Sequence, residues 1–536
     1  MLLSISGSYT RAQATESEAE WLYEYLSVED VDHAHKARAA AERIRKHYVT
    51  IGHDLEGNPD HIAEFLDSVK RHAPDPRLRL YNRHHRVFPT GLVPLVRARA
   101  PDQGFRVDEV DTRPGRALLR SELDLEALAK PPLTLRPYQL EAVTAALTGP
   151  AGLVDPGCPS WVAPNVDPGR AILHLPTGAG KSRMAVGIAH TVPGVWLFLV
   201  HRNHLAADVA NRWDTTVGEL EGSAAGTIGG DGQWTEGERF TVATFQTLYP
   251  ALESERFRRL AERVTGVIVD ECHVSAAATF LKTIASFRNA TYKIGLSGTP
   301  LARGDKKNLI SVGALGPVVY RVRADELIKK GFLAQPTIRL VPCYQELVHG
   351  ETWTEAYDEL VRDSVHRNCA IAQCALVCER PGMVFVEREI HGKRLTKFLR
   401  SRGLNVEHVY GKTPKRLRQQ AIRDLGEGDL DIVVASRVFN DGVDIPSLRS
   451  VIMGAAGKSE IAALQQAGRA LRVEDGKTAA TIYDIGDKGY FKLNNQVHER
   501  LGSYQREGYP IVVDREVWPE RPDPSLELHR AWVQMF

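Results

Sequence analysis

The sequence predicts an α/β protein: two successive doubly wound parallel sheets behind an α+β N-terminal region. Three observations carry that reading. The apolar run Ala171-Ile172-Leu173-His174 breaks into a glycine-rich turn, and Lys181-Ser182 then opens a stretch, Arg183 to His190, with helical character. Short apolar runs alternate with helical stretches from Leu133 to about Tyr320, and the alternation starts again from there to about Tyr490. Such alternation is the mark of a parallel sheet with helical crossovers. At 536 residues the chain is too long for one core, so two to four domains are expected.

Charge and composition bound the function. Basic and acidic residues number 68 and 67, so any surface for a polyanion must be local. No segment approaches the ~18 uninterrupted apolar residues of a membrane span, and no membrane partner is expected. Met1 to Gln13 lacks a charged start followed by an apolar stretch, which points away from secretion. A cytoplasmic, nucleoid-associated protein is the expectation. Of the six cysteines, Cys369, Cys374 and Cys378 cluster, but without the tight pairs and fourth ligand of a metal site. Buried free thiols are expected there.

Residues 1–129 form the first expected domain. Glu16 to Val28, His33 to Tyr48 and Ile62 to His72 have helical spacing. The histidines of this region show no metal-ligand spacing. Lys70 to Arg99 sets eight Lys and Arg against one acid, Asp75, with Tyr81 and Phe88 interleaved. Such a run suits DNA phosphates, and Arg77, Arg79, Arg83 and Arg86 are its candidate contacts. The competing reading is a solvated basic surface.

Residues 130–320 form the second. Arg136-Pro137-Tyr138-Gln139 leads into a helix over Leu140 to Leu147, and Gly149 to Gly169 reads as a surface loop. In the turn before Lys181, Gly178 and Gly180 let backbone N–H groups curl around an anion. Lys181 reaches the outer phosphates of a nucleotide and the Ser182 hydroxyl ligates Mg²⁺. Leu175 departs from the simplest form of the pattern, which has glycine there. Strands follow at Val195 to Val200, Thr241 to Ala243, Gly266 to Val269 and Lys293 to Leu296. The third ends in Asp270-Glu271-Cys272-His273. Carboxylates at the C-terminal end of a parallel strand suit Mg²⁺ binding, by Asp270, and general-base work on water, by Glu271. Ser297 to Pro300 follows the next strand with hydroxyls that can bond to this acidic pair.

Residues 321–490 form the third, with strands at Ile338 to Val341, Gly382 to Val386, Val406 to Val409, Ile432 to Ala435, Val451 to Met453 and Ala480 to Ile485. No second phosphate loop occurs. Arg469 and Arg472, three apart, share a helix face suited to a developing phosphoryl charge. Residues 491–536 read as a C-terminal extension.

Together these residues resemble the superfamily-two DExH helicases and translocases, over about Leu133 to Tyr490. The resemblance implies two tandem RecA-like domains and the cofactors ATP and Mg²⁺. It places Arg136 and Gln139 at adenine, and Thr177, Gly178, Gly180, Lys181 and Ser182 on the phosphates. Gly442 and Asp444 then line the same nucleotide, and Lys181, Asp270, Glu271, Arg469 and Arg472 act in catalysis. Thr244 and Gln246 are similar to a strand-contacting motif, and Arg202, Arg303 and Ser436 are further candidates for the nucleic-acid track. Arg136-Pro-Tyr-Gln139, Val87-Phe-Pro-Thr-Gly-Leu92 and Asp484, Asn494, His498, Arg500 and Tyr504 resemble the UvsW/XPB-like branch. That branch implies duplex or branched DNA and 3′-to-5′ movement. His201 to Leu205 lacks a usual proline, and Asp208 stands where glutamine is common. The alternatives are an RNA helicase, a nucleotide-gated DNA sensor of a defence system and the motor subunit of a restriction-like complex.

Overall fold

The computed structural model describes the chain outside residues 7, 30–40, 45–46, 48–63, 65–67, 69–76, 114–121, 150–167, 202, 230–232, 273–277, 299–307, 347–351, 437–447, 457–478 and 507. It divides into two compact units. The first comprises 1–174 and 182–321; the second comprises 322–536, with the loop 175–181 assigned to it. The expected helices at His33 to Tyr48 and Ile62 to His72, and the loop after Gly149, lie largely outside the described residues.

The first unit begins with strands β1 (Leu2–Ile5) and β2 (Tyr9–Gln13). The helix Glu16–Tyr25 follows, started by Thr15: its hydroxyl accepts the Glu18 N–H while Glu18 accepts the Thr15 N–H at 2.7 Å. This reciprocal cap satisfies two donors that the first turn leaves unpaired. β3 (Ser27–Glu29) pairs with β4 (Arg77–Arg79), and β5 (Val87–Pro89) and β6 (Asp108–Asp111) complete a four-stranded sheet ordered β5-β2-β1-β6.

The large sheet of this unit contains β7 (Arg170–His174), β8 (Val195–Val200), β9 (Gly226–Ile228), β10 (Trp234–Thr235), β11 (Phe240–Thr244), β12 (Val264–Asp270), β13 (Tyr292–Ser297) and β14 (Val318–Arg321). The order is β10-β9-β11-β8-β12-β13-β7-β14, and only the β9–β10 pair is antiparallel. Its central strands are buried throughout, which is why they read as unbroken apolar runs.

The boundary expected at residue 129 falls inside one continuous core. Leu3, Ile5, Phe88 and Leu92 from the N-terminal sheet pack in the same cluster as Ile172, Leu197, Val312 and Leu315. A polar latch accompanies it. Lys293 on β13 is fully buried and donates to the Ser8 hydroxyl at 2.9 Å and the Ile284 carbonyl at 3.1 Å, while Ser8 donates to the Ala285 carbonyl at 2.7 Å. Burial, reinforced by Arg170, holds the Lys293 amine well below the ordinary lysine range. Below its folded-state pKa the ammonium is charged in both states and the burial penalty is full. Between that value and the unfolded value near ~10.4, the unfolded chain binds the extra proton, so stability rises with pH. Urea titrations across alkaline pH should show this rise, and Lys293→Met should flatten it. Equal slopes in the two proteins would mean that the amine stays charged.

The second unit contains β15 (Gln335–Tyr344), β16 (Gly382–Phe385), β17 (Val406–Val409), β18 (Ile432–Ala435), β19 (Ser450–Met453), β20 (Ala479–Lys488) and β21 (Ile511–Val513). They form an all-parallel sheet ordered β17-β18-β16-β19-β20-β15-β21. The stretch expected as an extension is part of this body. It supplies the edge strand β21 and the helix Glu527–Met535, whose Trp532 lies 4.9 Å from Phe398 between ring centroids in the core. Of the cysteines, Cys369, Cys374 and Cys378 are buried free thiols; burial pushes Cys369 up to about 12 and Cys378 up to about 11.

Two buried ion pairs brace the sheet. Arg367 binds Asp487 through Nε at 2.8 Å and Nη2 at 3.1 Å, and donates to the Gly454 carbonyl at 2.5 Å. Arg500 binds Asp484 at 2.9 and 2.7 Å, and the Tyr504 hydroxyl donates to the same carboxylate at 2.6 Å. Asp484, Arg500 and Tyr504 are thus one internal brace.

Candidate functional site

Strand order places the C-terminal ends of β12, β13 and β7 side by side at one edge of the first large sheet. Ligands of open α/β sheets bind at such an edge. Two hydrogen bonds tie these strand ends together. His174, ending β7, is bonded through Nε2 to the Gly298 carbonyl at 2.5 Å, and the Ser297 hydroxyl, ending β13, donates to Glu271 Oε2 at 3.3 Å.

The loop 175–180 leaves β7 and delivers Lys181 to the start of the helix Lys181–Thr191. Gly178 and Gly180 have φ of 84° and 82°, a region that a side chain disfavours, so the glycines are required for this curl. The Ala179 N–H closes the turn on the Pro176 carbonyl at 3.2 Å. Leu175 is buried and is not among the residues of positive φ. Its position therefore needs an apolar anchor rather than glycine, which accounts for the departure seen in sequence.

Asp270 is buried at the end of β12, and its Oδ1 accepts the N–H of Glu271 at 3.0 Å. Glu271 itself has φ of 47°. A non-glycine residue held there costs on the order of 1–3 kcal/mol and persists where its surroundings fix it. The outcome is a carboxylate turned off the strand and held by the neighbouring strand's serine.

The remaining predicted residues fall into three groups. Arg202, His273, Arg303, Gly442, Asp444, Arg469 and Arg472 lie outside the described residues. Arg136 and Gln139 start the helix Pro137–Thr148; Gln139 is buried and its Oε1 accepts the Arg136 N–H at 2.9 Å. Thr244 is buried with its hydroxyl on that of Thr247 at 2.9 Å, exposed Gln246 donates to the His201 carbonyl at 2.7 Å, and Ser436 is buried at the end of β18.

The basic run of the N-terminal region needs correction. Sequence set its cations against one acid, but the helix Glu16–Tyr25 supplies others. Arg77 and Arg79 pair with Glu24 at 3.2 and 2.9 Å, Arg83 pairs with Glu20, and Arg97 pairs with Glu109 at 2.7 Å. Arg79 and Arg83 also lie over the Tyr23 ring, 4.4 and 3.8 Å from its centroid. Of the four arginines proposed as DNA contacts, Arg86 is the exposed one outside these pairings. Two contacts at these strand ends gave no local signal in sequence: His174 with Gly298, and Ser311, whose hydroxyl donates to the Cys272 carbonyl at 3.2 Å.

Residues 132–302 match the family described as type III restriction enzyme, res subunit, and residues 372–474 match the helicase conserved C-terminal domain. The putative helicase 22 of Sulfolobus islandicus filamentous virus is 27% identical over 61% of this chain and 62% of its own length. The ATP-dependent DNA helicase uvsW of Enterobacteria phage T4 is 26% identical over 60% of this chain and 66% of its own. The DNA 3′-5′ translocase XPB2 of Sulfurisphaera tokodaii is 26% identical over 68% of this chain and 83% of its own. The chain thus spans less than two thirds of the length of the first two. With the phosphate loop, the DECH box and the match to the helicase conserved C-terminal domain in this order, the chain resembles the superfamily-two DExH helicases and, among them, the UvsW/XPB-like branch.

Proposed function

We propose that this protein is an ATP-driven helicase or translocase acting on double-stranded or branched DNA with 3′-to-5′ movement. One observation carries the reading: Glu271 is held by Ser297 at the strand edge where β7 runs into the phosphate loop. A carboxylate so placed serves as general base toward water attacking the outer phosphate. Lys181 and the backbone of Gly178 and Gly180 bind the phosphates, Arg136 and Gln139 lie toward adenine, and Arg469 and Arg472 stabilise the developing charge. The Ser182 hydroxyl and Asp270 carboxylate are hard oxygen donors that fit Mg²⁺. When bound, that ion neutralises phosphate charge. The names of the T4 and Sulfurisphaera relatives support DNA as the track. Gln246 is the proposed contact, exposed where Thr244 is buried, and it is directed to the backbone and so independent of base sequence. Among the described residues, no helix is long and apolar enough to cross a membrane; the proposed setting is the nucleoid.

ATPase activity measured with forks, Holliday junctions, R-loops and RNA duplexes tests the reading. Stimulation by forked DNA above all others supports it, and stimulation by RNA alone overturns it.

The arginine–glutamate pairs set a second expectation. Each phosphate neutralised adds about −0.9 to the salt slope of duplex binding. With Arg77, Arg79 and Arg83 already paired, replacing these three and Arg86 by Ala should flatten the slope by about one unit. Glu20→Gln with Glu24→Gln should steepen it. A flattening of about four units would instead mean that all four arginines leave their partners for phosphate.

A further inference from the structure

We propose that Ser311 is a positioning residue for the hydrolytic step, and that the turn Thr90–Leu92 of the N-terminal sheet determines where Ser311 sits. The proposal rests on the reading of Glu271 as the general base.

Glu271 occupies a backbone conformation that its own chemistry disfavours, so the chain on either side of it must be held. On one side the Asp270 carboxylate takes the Glu271 N–H at 3.0 Å. On the other side, one peptide further along, Ser311 donates to the Cys272 carbonyl at 3.2 Å. Both Ser311 and Cys272 are completely buried. Cys272 is also lodged against β13: a Cβ at Gly295 would lie 2.9 Å from its sulfur. Glu271 is thus clamped before and after, and one clamp comes from the helix Asn308–Leu315, 39 residues away.

That helix is in turn seated on the N-terminal sheet at backbone contact. A Cβ at Gly91 would stand 2.2 Å from the Val312 carbonyl oxygen, 2.7 Å from that of Gly313 and 2.8 Å from the Gly316 nitrogen. Pro89 also packs on Gly313, where a Cβ would lie 3.1 Å from the proline Cβ. The turn is fixed in its own sheet: Thr90 donates from its hydroxyl to the Ser6 carbonyl at 3.0 Å and from its N–H to the Ser8 carbonyl at 3.0 Å. Van der Waals contact of this closeness transmits displacement, because packed interiors do not compress. Movement of the turn therefore moves Val312 and its neighbour Ser311, and with them the Cys272 carbonyl one residue beyond Glu271. The Val-Phe-Pro-Thr-Gly-Leu stretch noted in sequence gains a role as the seat of this helix.

The test is steady-state ATPase with independent nucleotide binding. Ser311→Ala should lower kcat about ten-fold, since small misplacements of catalytic groups carry costs up to ~10². KM and the nucleotide Kd should stay within about two-fold, as expected for an interaction acting on the transition state. Gly91→Ala, or Pro89→Ala should the first not fold, should also lower kcat. Combined with Ser311→Ala its effect should be less than additive, because both act through the Cys272 carbonyl. An unchanged kcat in Ser311→Ala overturns the positioning role, and strict additivity overturns the link to the N-terminal turn. Glu271→Gln run in parallel separates the two readings: if it hydrolyses ATP normally, the assignment of the base has failed instead.

Discussion

Glu271→Gln is expected to lower kcat for ATP hydrolysis about 10²- to 10⁴-fold, the range for a positioned general base, while ATP and DNA still bind. The substitution is close to isosteric. Glutamine keeps an oxygen that accepts from Ser297, whose hydroxyl lies 3.3 Å from Glu271 Oε2, so the side chain should hold its place. It tolerates the φ of 47° about as well as glutamate, since the strain comes from the Cβ that both share. What it loses is the capacity to take a proton from water. Lys181→Ala should behave differently, raising KM because phosphate binding itself is weakened. Steady-state kinetics beside equilibrium nucleotide binding distinguishes the two. Normal turnover in Glu271→Gln would remove that carboxylate from the mechanism.

Asp487→Ala should destabilise the second unit by about 3–5 kcal/mol, the cost of stranding a buried charge. Arg367 and Asp487 have side-chain exposures of 0% and 1%, so water cannot replace the lost carboxylate. The Arg367 guanidinium would keep the Gly454 carbonyl as an acceptor but would have no counter-charge. Replacing both residues together, Arg367→Met with Asp487→Leu, should recover much of the loss because no charge is left buried. Differential calorimetry resolves the transition of this unit, and a fall of less than about 1 kcal/mol in Asp487→Ala would show that the pair is hydrated.

The strands were legible because a parallel strand buried on both faces must be apolar at every position: Val195–Val200 and Ile432–Ala435 have the bounds that their composition predicts. The phosphate loop and the DECH box were legible because their chemistry requires adjacent residues in fixed order. What escaped was long-range. Arg77 and Arg83 find Glu24 and Glu20 across 53 and 63 residues, and a charge count in a local window cannot see such partners. Arg367 and Asp487 are 120 residues apart, and no periodicity links them. The joint core of the N-terminal and first large sheets escaped for the same reason, since amphipathic patterns show that a face is covered but not by which segment.

The latch between Ser8 and the Lys293 region bears on how the chain is made. Ser8 bonds to Ala285 across 277 residues, and synthesis at roughly 5–20 residues per second separates their emergence by about 14 to 55 s. Throughout that interval the apolar side of β1 and β2 has no partner from the later strands. The nascent N-terminal sheet is therefore a candidate client for chaperones at the ribosome, and slowing translation between residues 92 and 285 should lower the soluble yield more than slowing it after residue 321.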